Sequence, residues 1–153
     1  MVELTYVKRS PDVRDPVYAT DGSACFDVYA HDVVEVSSTG RVILGTGLTF
    51  NIPKGYALMM YSRSGHGVNQ NIVLANGTGI IDSDYRGELK LRLVRHRALP
   101  NIGFVEVGST VVGTRVAQLM LVPVPQVRLV EVDEIDDPAG TRGVGGFGST
   151  GSN

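Results

Sequence analysis

The chain has 153 residues, 42% of them hydrophobic and 20% charged, with a net charge of −2. That length supports one domain with a sizeable core, and the slightly acidic balance excludes bulk attraction to nucleic acid, so an anionic ligand would need local donors. No apolar run is long enough to span a membrane as a helix, residues 1–10 carry no signal-peptide pattern, and the single cysteine, Cys25, excludes a disulfide framework and a multi-cysteine metal site; a reducing, intracellular, cytoplasmic setting is expected.

In chain order, residues 3–7 read as a short strand and residues 10–20, with Pro11 and Pro16, as a loop. Residues 24–30 alternate weakly, 33–36 form a brief strand, and 42–44 and 48–52 are strands around Gly45 and Gly47. Pro53-Lys54-Gly55 is a turn, followed by a strand over 56–61. Residues 62–71 are polar and glycine-bearing and hold at most one helical turn. Residues 72–75 and 79–81 flank Asn76-Gly77, a strong hairpin signal. Residues 89–94 alternate apolar and polar as a half-buried strand does. After a basic loop around Pro100, strands are expected over 104–107, 115–122 and 126–132, then an acidic linker and a glycine-rich tail. Pro123 and Pro125 interrupt the late run, so the last strand is either an edge strand or an arm leaving the sheet. Nothing sustains a 3.6-residue period, and many short strands with close turn signals indicate an all-β barrel or sandwich.

Several clusters carry chemistry. Asp82 follows directly on Ile80-Ile81, an odd place for a carboxylate in a bland strand. Ser62-Arg63-Ser64-Gly65 is a cation and two hydroxyls before a glycine, able to form a short nest of donors for phosphate or a simple turn. Asp27 offers oxygen to a hard cation or makes local hydrogen bonds at a strand end. Gln118 interrupts an apolar run and needs partners if buried. Six of the nineteen glycines fall within residues 140–151, where Arg142, Ser149 and Thr150 add donors and Phe147 a stacking surface; alone, such a tail reads as a linker, and it lacks the Gly-Lys-Ser/Thr ending of a P-loop. The three histidines show no metal-ligand spacing and read as surface or loop residues, and Cys25 reads as a small packed residue.

Together these clusters resemble the trimeric dUTPase (deoxyuridine triphosphate nucleotidohydrolase) family. Five motifs occur in the family's order: Asp21-Gly-Ser-Ala-Cys-Phe-Asp-Val28, Ser62-Arg-Ser-Gly65, Asn76-Gly-Thr-Gly-Ile-Ile-Asp-Ser-Asp-Tyr-Arg-Gly87, Thr114-Arg-Val-Ala-Gln-Leu119, and Arg142-Gly-Val-Gly-Gly-Phe-Gly-Ser-Thr-Gly151. The third and fifth are highly specific. The resemblance implies a jelly-roll-like β-barrel over residues 1–136, a flexible C-terminal arm over 137–153, and a homotrimer with shared active sites. It implies Mg²⁺-dependent hydrolysis of dUTP to dUMP and pyrophosphate, which keeps uracil out of DNA and supplies dUMP for dTMP synthesis. It assigns Asp82 as the base that activates water. Asn76, Gly79 and Ile81 would read the uracil, and Tyr85 would exclude a 2′-hydroxyl. Arg63, Ser64, Gly65 and Gln118 would hold phosphates. Arg142, Gly148, Ser149 and Thr150 would close on the nucleotide, with Phe147 over the base, and Asp27 would assist the metal through water.

Two departures stand out: Cys25 where the first motif usually has glycine, and Thr114 where the fourth often has an acid. The segment between the third and fourth motifs is also longer than usual. The related dCTP deaminases carry a catalytic glutamate in the strand after the Asp82 position, where this chain has Arg92, which argues against deamination. A nucleotide-sensing protein whose loop from Arg95 to Gly103 binds a partner is a rival of another class, and compatible with the enzyme. No membrane or direct nucleic-acid contact is expected.

Overall fold

A computed structural model describes residues 2–36, 42–95 and 112–135. The described chain runs through β1 (Thr5–Lys8), β2 (Val17–Tyr18), β3 (Phe26–Tyr29), β4 (Asp32–Val36), β5 (Val42–Gly45), β6 (Leu48–Asn51), β7 (Tyr56–Tyr61), α1 (Ser64–Gln70), β8 (Ile72–Leu74), β9 (Thr78–Ile81), β10 (Lys90–Arg95) and β11 (Arg115–Pro123). The strands form sheets of order β1-β6, β4-β5-β10-β8 and β2-β3-β11-β7-β9, with antiparallel pairing between named strands. Non-consecutive neighbours in both larger sheets give a jelly-roll-like, all-β fold, and the described strands do not close into a barrel.

Alternation along the strands builds the core. Val42, Leu44, Ile72, Leu74, Leu91 and Leu93 of the four-stranded sheet and Phe26, Val28, Leu58, Met60, Ala117 and Leu119 of the five-stranded sheet belong to one buried cluster. The opposite face of the five-stranded sheet carries Asp27, Gln118, Tyr61 and Thr78, which stand in one row across β3, β11, β7 and β9.

Four expectations are corrected. Asn76-Gly77 does form a turn, with Gly77 at φ 70°, but not a hairpin: β8 pairs with β10 and β9 with β7, so the turn passes the chain from one sheet to the other. Residues 64–70 form a seven-residue helix rather than one turn at most, ended by Asn71 in the left-handed region at φ 54°. The expected loop over 10–20 contains the two-residue β2, which extends the sheet beyond β3. Residues 126–132 are not a strand. β11 stops at Pro123, the Val124 amide donates to Gly55 O at 2.7 Å, and the following residues are exposed, Leu129 at 91% and Ile135 at 82%. Beyond Pro123 the described residues leave the sheet without forming an edge strand. The strand expected over 104–107, the loop beyond Arg95 and the arm over 137–153 lie outside the described residues.

Candidate functional site

The third motif surrounds a cavity of about 220 Å³, lined by Met60, Asn76, Ile80, Ile81, Asp82, Tyr85, Leu89 and Lys90. β9 delivers Ile81 at the edge of the five-stranded sheet, and the chain leaves the sheet at Asp82, whose exposed carboxylate is free of the packing a strand interior would impose. Gly79 is buried, and its lack of a side chain is required: a Cβ there would lie 2.8 Å from Met60 Cε, 3.2 Å from Met60 Cβ and 3.8 Å from Asn76 Nδ2. The Tyr85 amide donates to Asp82 O at 3.2 Å, closing a tight turn that keeps the tyrosine beside the carboxylate. The Tyr85 hydroxyl donates to Glu88 O at 3.1 Å, and its ring covers Gly87 so closely that a Cβ there would collide with it. Arg86 turns back on the loop, its Nη1 donating to Ser83 O and Tyr85 O at 2.8 and 2.9 Å.

A second cavity, of about 450 Å³, gathers residues of the first, second and fourth motifs, among them Ser23, Cys25, Asp27, Arg63, Ser64 and Gln118. Asp27 is only 8% exposed, and a buried carboxylate is costly unless paired. Both of its oxygens are paired: Arg63 Nε donates to Oδ1 at 2.9 Å and Arg115 Nη1 to Oδ2 at 3.1 Å. Arg63 Nη1 also donates to Arg115 O at 3.3 Å. The carboxylate and the β11 backbone thus fix the Arg63 guanidinium, and the hydrogen bond to Asp27 raises the Arg115 pKa above its ordinary value. Gln118 is half-buried and satisfied, with Nε2 donating to Ser62 O at 3.1 Å. Ser62 Oγ accepts the Leu74 amide at 2.9 Å, tying the second motif to the strand that precedes Asn76. Gly65 follows Ser64 in α1, exposed and with open space around it.

His66 is not a loop residue. It lies on α1, half-buried, with Nδ1 enclosed and lacking a partner among the described residues. Burial first, and the nearby Arg63 cation second, push its pKa below the ordinary imidazole value. Burial and then the Asp27 charge push the Cys25 thiol up, away from the thiolate, as a packed rather than a reactive cysteine requires.

Among the described residues, no three His, Cys, Asp or Glu side chains converge into a metal-holding group. Asp27 gives one lone pair of each oxygen to an arginine and keeps others. The carboxylate therefore fits a contact to a cation's hydration water, and the described residues do not provide an all-protein cage.

The two cavities share no lining residue. A larger cleft of about 950 Å³ shares Ile80 and Asp82 with the first cavity and has Lys54, Asp84, Arg86 and Gln126 on its walls. Arg142, Phe147, Gly148, Ser149 and Thr150 lie outside the described residues. Met60 is a site-building residue outside the five motifs, and Arg115, though inside the fourth, carried no assigned role. The signal for Arg115 was a cation three residues before the amide Gln118 on one strand.

The dUTPase family model matches residues 12–151. The deoxyuridine 5′-triphosphate nucleotidohydrolase of Nautilia profundicola is 38% identical over 98% of this chain and 99% of its own length. That of Wolinella succinogenes is 36% identical over 98% of this chain and 95% of its own. Among solved structures, the dUTPase of Staphylococcus bacteriophage 80alpha with dUPNHPP superposes with a TM-score of 0.81 over 99% of this chain and all of its own, at 24% identity, which speaks for the shared fold. On the family match and the full-length relatives together, the chain belongs to the dUTPase family.

Proposed function

We propose that the protein hydrolyses dUTP to dUMP and pyrophosphate, with Asp82 activating the attacking water. The observation that carries this reading is the convergence of Asn76, Ile81, Asp82 and Tyr85 on one small pocket. A water held by the Asp82 carboxylate gives its proton to that carboxylate as its oxygen bonds to the α-phosphorus. The bond to the bridging oxygen breaks, and pyrophosphate leaves. Asn76 and the backbone at Gly79 and Ile81 select uracil. Cytosine reverses donor and acceptor at the 4-position and would leave buried polar groups unpaired, and a pocket of this size disfavours the thymine methyl. Tyr85 packs on the deoxyribose and leaves no space for a 2′-hydroxyl.

Arg63, Ser64, Gly65 and Gln118 hold phosphates, where positioning and charge neutralisation supply much of the acceleration. Mg²⁺ on the triphosphate would add charge neutralisation, with Asp27 accepting from its hydration water. The structure of a phage phi11 dUTPase of S. aureus contains a structural Mg(II) ion. The two cavities of one chain share no lining residue, and we read the site as shared between subunits of a homotrimer. The exposed apolar residues of the 126–135 arm support such an assembly. Arg142, Gly148, Ser149 and Thr150 then contribute donors to the phosphates, with Phe147 over the base.

Pyrophosphate release measured with dUTP, dCTP, dTTP and UTP, with and without Mg²⁺, tests the reading. Turnover of dUTP alone is expected. Equal turnover of dTTP or UTP, or ammonia release from dCTP, would contradict it.

A further inference from the structure

We infer that Glu88 is a positioning residue for the sugar-discriminating tyrosine, acting through its own main chain; this rests on the reading of Tyr85 given above. Glu88 ends the loop that carries Asp82 and Tyr85, and three independent ties hold it. Its Oε1 accepts the Gly47 amide at 2.8 Å. Its neighbour Leu89 is pinned on both sides, the Leu89 amide donating to Leu48 O at 2.7 Å and Leu89 O accepting from Thr46 Oγ1 at 2.7 Å. Its Oε2 faces Arg9 Nη1 at 3.7 Å and Lys90 Nζ at 3.9 Å. The Gly45–Gly47 turn is shaped to receive it: a Cβ at Gly45 would lie 2.7 Å from Glu88 Oε1 and collide with Asp32, while Arg9 donates its own amide to Gly47 O at 2.9 Å.

The free end of this anchor is the Glu88 carbonyl, which accepts the Tyr85 hydroxyl at 3.1 Å. Tyr85 is 47% exposed, and its ring lies over Gly87. A ring that tests for a 2′-hydroxyl must not swing aside, and this hydrogen bond is what stops it. The charge-assisted bond to a backbone amide is the stronger tie, whereas the Arg9 and Lys90 pairs are long and partly exposed and so weak. The carboxylate's role is therefore chiefly to accept from Gly47, and glutamine, which keeps an acceptor there, substitutes for it.

The test is the ratio of kcat/KM for dUTP to that for UTP, measured on the full-length protein with folding monitored by thermal melting. Glu88→Ala is expected to lower the ratio by about tenfold, Glu88→Gln to stay within about threefold of the parent, and Tyr85→Phe, which removes only the hydroxyl, to lower it severalfold. Tyr85→Phe settles the matter even if Glu88→Ala fails to fold. A parental ratio in Tyr85→Phe, or in folded Glu88→Ala, with a collapsed ratio in Tyr85→Ala, would overturn the inference and leave the sugar gate standing. A parental ratio in Tyr85→Ala as well would overturn the gate and this inference with it.

Discussion

Arg63 Nε meets Asp27 Oδ1 at 2.9 Å, joining the second motif to the first within one chain. The guanidinium that holds phosphate in the proposed reaction is thereby aimed by a carboxylate that Arg115 holds from the other side. Asp27→Asn removes the charge from this arrangement and leaves two arginines competing for a neutral amide. The expected result is a loss in pyrophosphate affinity of about tenfold, or ~1.4 kcal/mol, the scale of one hydrogen bond to a charged group. Calorimetry in EDTA isolates this effect from any cation. Parental affinity in EDTA, with a loss only when Mg²⁺ is present, would mean that Asp27 works through the cation instead.

Gly79 lets Met60 and Asn76 close in on the cavity proposed to take the base. In Gly79→Ala the new methyl meets Met60 Cε, which can move, and Met60 Cβ at 3.2 Å, which moves only with β7. Overpacking of this kind costs about 1–3 kcal/mol. Thermal unfolding at a lower temperature and a weakened dUMP complex, both read by calorimetry, are the expected outcomes. An unchanged dUMP affinity would remove Gly79 from the base pocket.

His66 gives the fold an acid-sensitive component. Its folded pKa lies below the ordinary value of 6.5, so between the two pKa values the unfolded chain holds a proton that the folded chain refuses. The unfolded state then binds more protons, and unfolding free energy rises with pH. The contribution is complete above the ordinary imidazole range and is lost as pH falls through that range to the depressed folded value. Urea unfolding at pH 7.5 and 5.5 should show a smaller acid loss in His66→Gln than in the parent protein. Equal losses would show that the imidazole does not titrate differently in the two states.

The proposed sharing of the site between subunits predicts complementation. Chains with Asp82→Asn and chains with Arg63→Gln are each expected to be nearly inactive. When co-assembled in equal amounts, about a quarter of the sites combine an intact Asp82 with an intact Arg63 from a neighbouring copy, so about a quarter of parental activity returns. Pyrophosphate release from the mixed, re-formed protein measures this. No recovery despite verified mixing would place the whole site within one chain.

What the sequence revealed follows the range of each signal. Local signals held: Gly77 turns the chain, and Pro123 ends β11. Pairing signals did not, because they depend on distant strands. Asn76-Gly77 reads as a hairpin, yet Val73 and Leu74 pair with Val94 and Leu93, and Gly79 and Ile80 with Met60 and Met59. Residues 126–132 have the β-branched composition of a strand, but no strand among the described residues lies beside them, and composition does not supply one. At the candidate site, Asn76, Asp82 and Tyr85 stand out in the sequence because one short stretch carries them, and they line one cavity. Arg115 was not, because its role depends on Asp27, 88 positions away in the chain. Glu88 was legible as a residue but not as an anchor, since Gly47 comes to it from another turn.

The proposed reaction depends above all on Asp82 activating the water. Asp82→Asn keeps the size and shape of the side chain and removes the base. The most direct measurement is single-turnover hydrolysis of dUTP by this variant alongside its dUTP affinity by calorimetry. The account predicts a rate lower by about 10²–10⁴-fold, the usual contribution of a positioned general base, with affinity changed by less than about threefold. A folded Asp82→Asn protein that hydrolyses dUTP at near the parental rate would contradict it.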